Sequence, residues 1–261
     1  MALPGFAWVR RGREQKGAEE EGTVSTSEIQ SFDLVIAAGY LILFLMVWKT
    51  LPETLARTAD ADPTVGGVVV QMIGMIFLAG VVPAILFWRV NLKEFFGLEW
   101  QAWKKVFWIA PAFVFSMLVL LSLQIALGWQ DWTEWKFGAE QQAAVTLLKE
   151  SKDVGLLLAL AVSAVLIAPL TEEVIFRGYL YPVMKRYSNR WVAAVFTGVA
   201  FGVIHFNVFS LPTLAVMGVV LVVLYEKTGS LWVTIACHAA FNGLTVGAHL
   251  IPKLVEAGSS S

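Results

Sequence analysis

The chain has 261 residues, of which 57% are hydrophobic and 15% are charged, and its formal net charge is −1. Soluble domains carry about 25% charged residues, so the composition argues against an ordinary soluble globular protein. The near-neutral charge gives no indication of a nucleic-acid partner. A single cysteine, Cys237, excludes an intramolecular disulfide framework and is interpreted as a small buried residue.

The N-terminal region differs from the rest of the chain. Residues 1–28 are polar and charged, and they contain no apolar core of the kind that a cleavable signal has. We therefore predict that 1–28 form a disordered cytoplasmic tail. The remaining residues, 29–261, show no internal repeat and no long linker, which predicts a single membrane-embedded helical domain.

Long, continuous apolar runs follow the tail. A transmembrane β-barrel would need alternating segments of about ten residues, whereas continuous runs of this length are typical of transmembrane helices. The predicted fold is all-α, a polytopic transmembrane bundle of about seven to eight helices. The candidate spans are 32–51, 65–88, 106–127, 154–184, 191–205, 211–225 and 231–251.

The number of crossings depends on the fourth span. Pro169 lies inside it, so a kink or a break is expected there, and the span is either one bent helix or two short ones. Lys and Arg are more frequent in the connections that would lie inside with a cytoplasmic N-terminus, which favours that orientation and a single pass. Residues 130–153 mix aromatic and charged side chains, as an interfacial connection would.

Glu172, Glu173 and Arg177 lie within the fourth apolar span, where titratable residues are costly and indicate function. Residues four apart share a helix face, so Glu173 and Arg177 are predicted to form an ion pair. Glu172 has no partner in its own turn, and an apolar site would tune it toward general-base chemistry near neutral pH. We assign Glu172 to catalysis and the other two to orientation.

Two further pairs of residues are spaced four apart on apolar stretches. Phe201 would wall the site, while His205 would share a water molecule with Glu172. His238 and Asn242 carry hydrogen-bond donors, and if both were aimed at one point they would form an oxyanion hole.

Other interpretations of these residues remain open. The polar groups could lock helices together, and His205 alone could be an interfacial residue. Two histidines and a glutamate could also hold zinc. The chain has no His-Glu-x-x-His element, so a zinc site would have to be assembled from three helices. We favour a metal-independent site without a cofactor.

The motifs EEVIFR, FGVIH and HAAFN resemble the EExxxR, FxxxH and HxxxN motifs of a known family. It is the CAAX prenyl endopeptidase, bacteriocin-processing and abortive-infection family of intramembrane glutamate proteases. The resemblance covers about 154–251, which would be the motif-bearing catalytic core. It implies that Glu172 and His205 activate a water, that His238 and Asn242 stabilise the oxyanion, and that Glu173 and Arg177 position the helix of the first glutamate.

The chain is predicted to be an integral membrane protein of a bacterial plasma membrane and to act as an intramembrane endopeptidase. Its partners would be the lipid bilayer and a peptide or lipid-modified protein, cleaved near the C-terminus of a prenylated or other membrane-associated chain. Two alternatives belong to other classes. One is a non-catalytic membrane immunity or partner-binding protein, and the other is a zinc-dependent membrane hydrolase.

Overall fold

A computed structural model describes residues 23–59, 64–99, 103–138 and 142–259, and these residues contain helices and connecting turns but no strand. We number the α-helices in chain order. They are α1 (Ser31–Ala59), α2 (Val65–Leu86), α3 (Leu92–Phe95), α4 (Trp103–Ala126), α5 (Trp129–Phe137), α6 (Ala143–Glu150), α7 (Val154–Val162), α8 (Ala168–Ile175), α9 (Tyr181–Tyr187), α10 (Arg190–Val203), α11 (Leu211–Thr228) and α12 (Leu231–Ser259).

Five helical segments of the described chain are long and apolar enough to cross a membrane: Val65–Leu86, Lys104–Ala126, Val154–Tyr187, Leu211–Thr228 and Leu231–Lys253. Two shorter apolar helices, Ser31–Met46 and Arg190–Val203, accompany them. The seven segments coincide with the predicted apolar stretches, and the all-α membrane bundle is confirmed. Large apolar side chains such as Phe77 (72% exposed) and Trp108 (82% exposed) cover its outside, as expected where a protein meets lipid.

The segment that carries the two glutamates runs without a break from Val154 to Tyr187, over 34 residues. We call it the motif helix. It comprises α7, α8 and α9, joined by two π-helical turns, Ser163–Ile167 and Phe176–Leu180. Of the two predicted possibilities for this segment, the structure has one continuous helix.

A proline follows each π turn of the motif helix. Proline has no N–H, and its ring conflicts with the carbonyl four residues earlier in an α-helix. Just before Pro169, the Ala168 N–H donates to Ser163, five residues back, and Tyr181 before Pro182 donates in the same way to Phe176. The wider π turns therefore let the helix continue past both prolines.

Helices α10 and α11 approach each other at two glycines. A Cβ atom on Gly218 would lie 2.6 Å from the Cα of Gly198, which is closer than real contacts allow. Only glycine at both positions permits the two backbones to meet in this way. The close approach fixes α10, which carries Phe201, against α11.

A polar cluster built on Asp33 joins α1 to two other parts of the chain. Arg89, which follows α2, donates to Asp33 Oδ1 from Nη2 at 2.7 Å and to Oδ2 from Nη1 at 2.9 Å. The Tyr179 hydroxyl donates to Oδ1 at 3.0 Å and the Gln30 N–H to Oδ2 at 2.8 Å. Hydrogen bonds to this carboxylate raise the pKa of Arg89 above its usual value, so the guanidinium stays charged.

Of the predicted tail 1–28, residues 1–22 lie outside the described residues, while the end of it packs against the bundle. Val24 and Thr26 are buried. Lys185 donates to the Val24 carbonyl at 2.7 Å and to Glu226 Oε1 at 2.6 Å. The Tyr181 hydroxyl donates to the same Glu226 oxygen. These bonds anchor the chain directly before α1.

Candidate active site

The two glutamates and the arginine lie near the middle of the motif helix, in the interior of the bundle. Glu172 is 2% exposed, Glu173 0% and Arg177 1%, and His238 of α12 joins them at 2%. Four titratable side chains are therefore buried together, out of contact with solvent and lipid. Burying such groups is costly unless they are paired, so the contacts among them decide what the cluster can do.

Glu173 is the centre of the cluster. Its Oε1 accepts a hydrogen bond from Arg177 Nη1 at 2.7 Å, and His238 Nδ1 lies 3.0 Å from the same oxygen. The ion pair predicted from the spacing of Glu173 and Arg177 is confirmed. Arg177 Nη2 also donates to the Gly218 carbonyl at 3.0 Å, which ties the motif helix to α11.

His238 lies between the two glutamates, with Nδ1 facing Glu173 and Nε2 at 3.8 Å from Glu172 Oε2. A carboxylate oxygen accepts hydrogen bonds, so in the bond to Glu173 the donor is Nδ1. The sequence analysis predicts that the N–H of His238 serves an oxyanion, and this role stays a prediction; in the structure, Nδ1 faces Glu173. Donation from Nε2 requires a second proton on the imidazole.

Glu172 differs from its neighbour in its contacts. Its Oε2 is buried and has no hydrogen-bond partner among the described residues, and the same is true of Glu173 Oε2 and Arg177 Nε. The Arg177 guanidinium donates to Glu173 and to the Gly218 carbonyl, so Glu172 Oε2 is placed to accept a hydrogen bond or a proton from a reacting group.

Phe201 forms one wall of the site and is fully buried. Its ring packs edge-on to those of Phe176, His205 and His238, with centroid distances of 5.3, 5.1 and 5.6 Å. The Arg177 guanidinium lies 4.8 Å from the ring centroid, within the range of a cation–π contact. Phe201 therefore holds both histidines and the arginine in place, as a walling residue would.

His205 follows the end of α10, in a turn where Phe206 takes a left-handed backbone with φ of 47°. Its Nδ1 lies 2.7 Å from the Phe201 carbonyl. A carbonyl only accepts, so Nδ1 donates this bond, and Nε2 of the neutral ring has the character of an acceptor. With Nδ1 donating to the Phe201 carbonyl, Nε2 is the ring atom that can accept a hydrogen bond from a water molecule.

Asn242 lies on α12 one turn after His238, and its Nδ2 donates to the Ala164 carbonyl at 2.8 Å. Ala164 lies in the first π turn. The Ala168 N–H is directed at Ser163, and Pro169 has no N–H, so the helix supplies no donor for this carbonyl. Asn242 supplies one and keeps its second amide hydrogen. Sequence reasoning missed this contact, although Pro169 signalled that some carbonyl would lack a donor.

The zinc alternative needed Glu172, His205 and His238 to converge. Among the described residues, no group of three or more His, Cys, Asp or Glu side chains is arranged to hold a metal ion. Cys237 is fully buried, as predicted, beside His238 in the chain.

Carboxylates and imidazoles buried among the spans of a helical membrane bundle indicate a functional site. Residues 154–244 match the family model for type II CAAX prenyl endopeptidases, described as Rce1-like. The resemblance predicted from the three motifs is confirmed, and the match includes every predicted site residue.

The chain is also similar to a protein of Bacillus subtilis (strain 168) described as "Putative membrane peptidase YdiL". The two are 26% identical over 178 residues, which cover 67% of this chain and 70% of the relative. No solved structure matches the chain. Together the two likenesses support an integral membrane protein that is similar to membrane peptidases of the CAAX-protease type.

Proposed function

We propose that the protein is an intramembrane endopeptidase in which Glu172 and His205 activate a water molecule. The observation that carries the proposal is the difference between two adjacent carboxylates. Glu173 is engaged by Arg177 and His238, whereas Glu172 has a buried oxygen without a hydrogen-bond partner among the described residues. A carboxylate that is buried and unengaged is suited to general-base catalysis.

In the proposed reaction, Glu172 takes a proton as the water oxygen attacks the scissile carbonyl carbon, with His205 Nε2 orienting the same water. Asn242 offers its second amide hydrogen to the developing oxyanion. His238 Nε2 lies 3.8 Å from Glu172, so a proton relayed to it would make the imidazole a donor as well. The tetrahedral intermediate then breaks its C–N bond, and the proton passes to the leaving amine.

Glu173 and Arg177 are proposed to position Glu172 rather than to take part in the reaction. Arg177 bridges Glu173 and the Gly218 carbonyl, so it fixes the rotation of the motif helix and with it the direction of Glu172.

The proposed core is 154–251 within one membrane domain, 29–261. The proposed substrate is a peptide or lipid-modified protein cut near the C-terminus of a prenylated or other membrane-associated chain. We place the protein in a bacterial plasma membrane with its N-terminus in the cytoplasm, and the proposed mechanism uses no metal.

Purified protein and a panel of fluorogenic peptides, prenylated and not, test the proposal. The wild type is compared with Glu172→Gln, and with Glu150→Gln as a matched control at an exposed glutamate. Cleavage should be lost in the first variant, retained in the second and unchanged by a chelator. Chelator-sensitive cleavage would point instead to a zinc hydrolase. A non-catalytic immunity protein would bind and neutralise a peptide or a sensor protein. If cells that express Glu172→Gln remain protected from such a peptide, or still signal, this alternative would be favoured.

A further inference from the structure

Away from the candidate active site, α4 and α12 form an apolar cleft of about 430 Å³. Its walls include Val106, Ala110 and Pro111 of α4 and Val233 and Ala236 of α12. The small side chains of Ala110 and Ala236 leave the space open. The volume lies within the usual range for sites that bind small molecules.

A second cavity, of about 490 Å³, adjoins the cleft and is polar. Glu99 and Ser230 line both cavities, so the two spaces meet. The Ser230 hydroxyl is buried and has no hydrogen-bond partner among the described residues. The polar cavity also contains Lys93, Glu94 and Lys105, so charges of both signs surround it.

The junction between the cavities is rigid. The turn at Gly97 packs against the turn at Gly229, so closely that a Cβ atom on Gly97 would lie 1.6 Å from the Gly229 carbonyl oxygen. The Leu231 N–H donates to the Phe96 carbonyl at 3.2 Å, and the Trp232 indole N–H donates to Leu98 at 3.1 Å. These contacts hold the start of α12 beside the chain that follows α3, so the polar end of the site is built before any ligand arrives.

We infer that this double cavity binds a membrane phospholipid, with an acyl chain in the apolar cleft and the headgroup in the polar cavity. The cleft begins at the charged start of α4 and continues along its apolar part, as a lipid does from headgroup to chain. Lys93 and Glu99 pair with each other at 3.5 Å, and the cavity also contains Lys105 and Glu94. A lysine suits a phosphate and a glutamate suits an ammonium group, so a cavity with charges of both signs suits a zwitterionic headgroup, as in phosphatidylethanolamine. The Ser230 hydroxyl is placed to donate to an ester or phosphate oxygen.

The site is separate from the proposed chemistry but lies on the same helix. Ala236 of the cleft is two residues before His238, so the two side chains leave α12 in nearly opposite directions. A bound lipid would brace α12 from outside the bundle. The test below measures lipid binding rather than cleavage, so its failure and the failure of the proposed function are distinguishable.

Native mass spectrometry of the detergent-purified protein tests the inference, with phosphatidylethanolamine and phosphatidylglycerol of identical chains as probes. Ala236→Trp fills the cleft and should weaken phosphatidylethanolamine binding at least about tenfold. Lys105→Ala changes an exposed residue, so it should fold normally and weaken binding about fivefold. Val119→Trp, at an exposed position of α4 outside the cleft, should bind like the wild type, and so should Glu172→Gln.

Four results would overturn the inference. One is the absence of saturable binding to the wild type, and another is equal binding by Ala236→Trp and Val119→Trp. Equal affinity for both lipids would refute the zwitterionic headgroup. Displacement of the phospholipid by a prenylated peptide, lost in Ala236→Trp, would make the cleft a substrate site instead.

Discussion

Two ion pairs, one at Asp33 and one at Glu173, each join a carboxylate to an arginine, but they differ in how many of their polar atoms form hydrogen bonds. Both oxygens of the Asp33 carboxylate accept two hydrogen bonds each, from Arg89, Tyr179 and the Gln30 N–H. In the Glu173 cluster, only one carboxylate oxygen is engaged. The other oxygen, Arg177 Nε and an oxygen of Glu172 have no hydrogen-bond partner among the described residues.

The difference separates a structural pair from a site prepared for a reaction. A fully satisfied carboxylate has little capacity to accept a further proton or ligand, and its value lies in joining three parts of the chain. A buried polar group that lacks hydrogen-bond partners raises the free energy of the folded protein, so its presence favours a role other than folding. The predictions below test that distinction.

The largest expected effect is on turnover in Glu172→Gln. Loss of a general base lowers the rate by about 10²–10⁴-fold. The thermal unfolding midpoint should not fall, because the variant removes a buried charge that has no hydrogen bond at Oε2. Peptide cleavage and thermal unfolding in detergent, measured on one preparation, check both parts. A destabilised variant would show that Glu172 is structural.

The opposite pattern is expected for Asp33→Asn. Removing one partner of a buried ion pair costs 3–5 kcal/mol, and the 18% exposure of the Arg89 side chain places the loss at the lower end, about 3 kcal/mol. Molecules that remain folded should cleave at the normal rate. Denaturant unfolding measures the loss. Glu99→Gln is the control, because Glu99 pairs with Lys93 at an exposed position and should cost less than about 1 kcal/mol.

Gly218→Ala should affect both stability and activity. The added methyl group meets the backbone of Gly198, and overpacking of this kind costs about 2 kcal/mol. Separating α10 from α11 also moves Phe201 and the carbonyl that Arg177 binds. Gly80→Ala is the matched control, because a Cβ atom there meets nothing within 4 Å. Equal behaviour of the two variants in unfolding and cleavage assays would contradict the packing account.

The smallest effect tests the two roles of Asn242. Asn242→Ala leaves the Ala164 carbonyl without its donor and should cost about 1 kcal/mol. In a Pro169→Ala background, residue 169 regains an N–H that can reach this carbonyl, so the same change should cost less. A double-mutant cycle on unfolding measures the coupling. Activity should stay low in both backgrounds, because the proposed oxyanion contact is lost in each, and recovery of cleavage in the double variant would remove Asn242 from catalysis.

The sequence was most informative where structure depends on near neighbours. The apolar stretches predicted the helices because the length of a run and its flanking residues are local properties. The Glu173–Arg177 pair followed from helical spacing alone. The resemblance carried by the three motifs was confirmed, while the catalytic roles assigned to those residues stay predictions.

Contacts between segments that are distant in the sequence could not be predicted from these local patterns. The spacing of His238 and Asn242 placed both on one face, but it gave no sign that Glu173 would hold one imidazole N–H or that Ala164 would accept from the amide. The Asp33 cluster joins residues from three parts of the chain. One signal for it was present, since Asp33 is a lone acid at the start of an apolar run and Arg89 ends the next such run.

The two π turns of the motif helix have a consequence for how related chains should be compared. A π turn accommodates one residue more than the α-helical turn that it replaces, so each is equivalent to a single-residue insertion in the helix. A relative that lacks Pro169 or Pro182 and keeps α-helical geometry there should need a one-residue gap within 163–167 or 176–180. Placed elsewhere, the gap would put the glutamates of the two chains out of register.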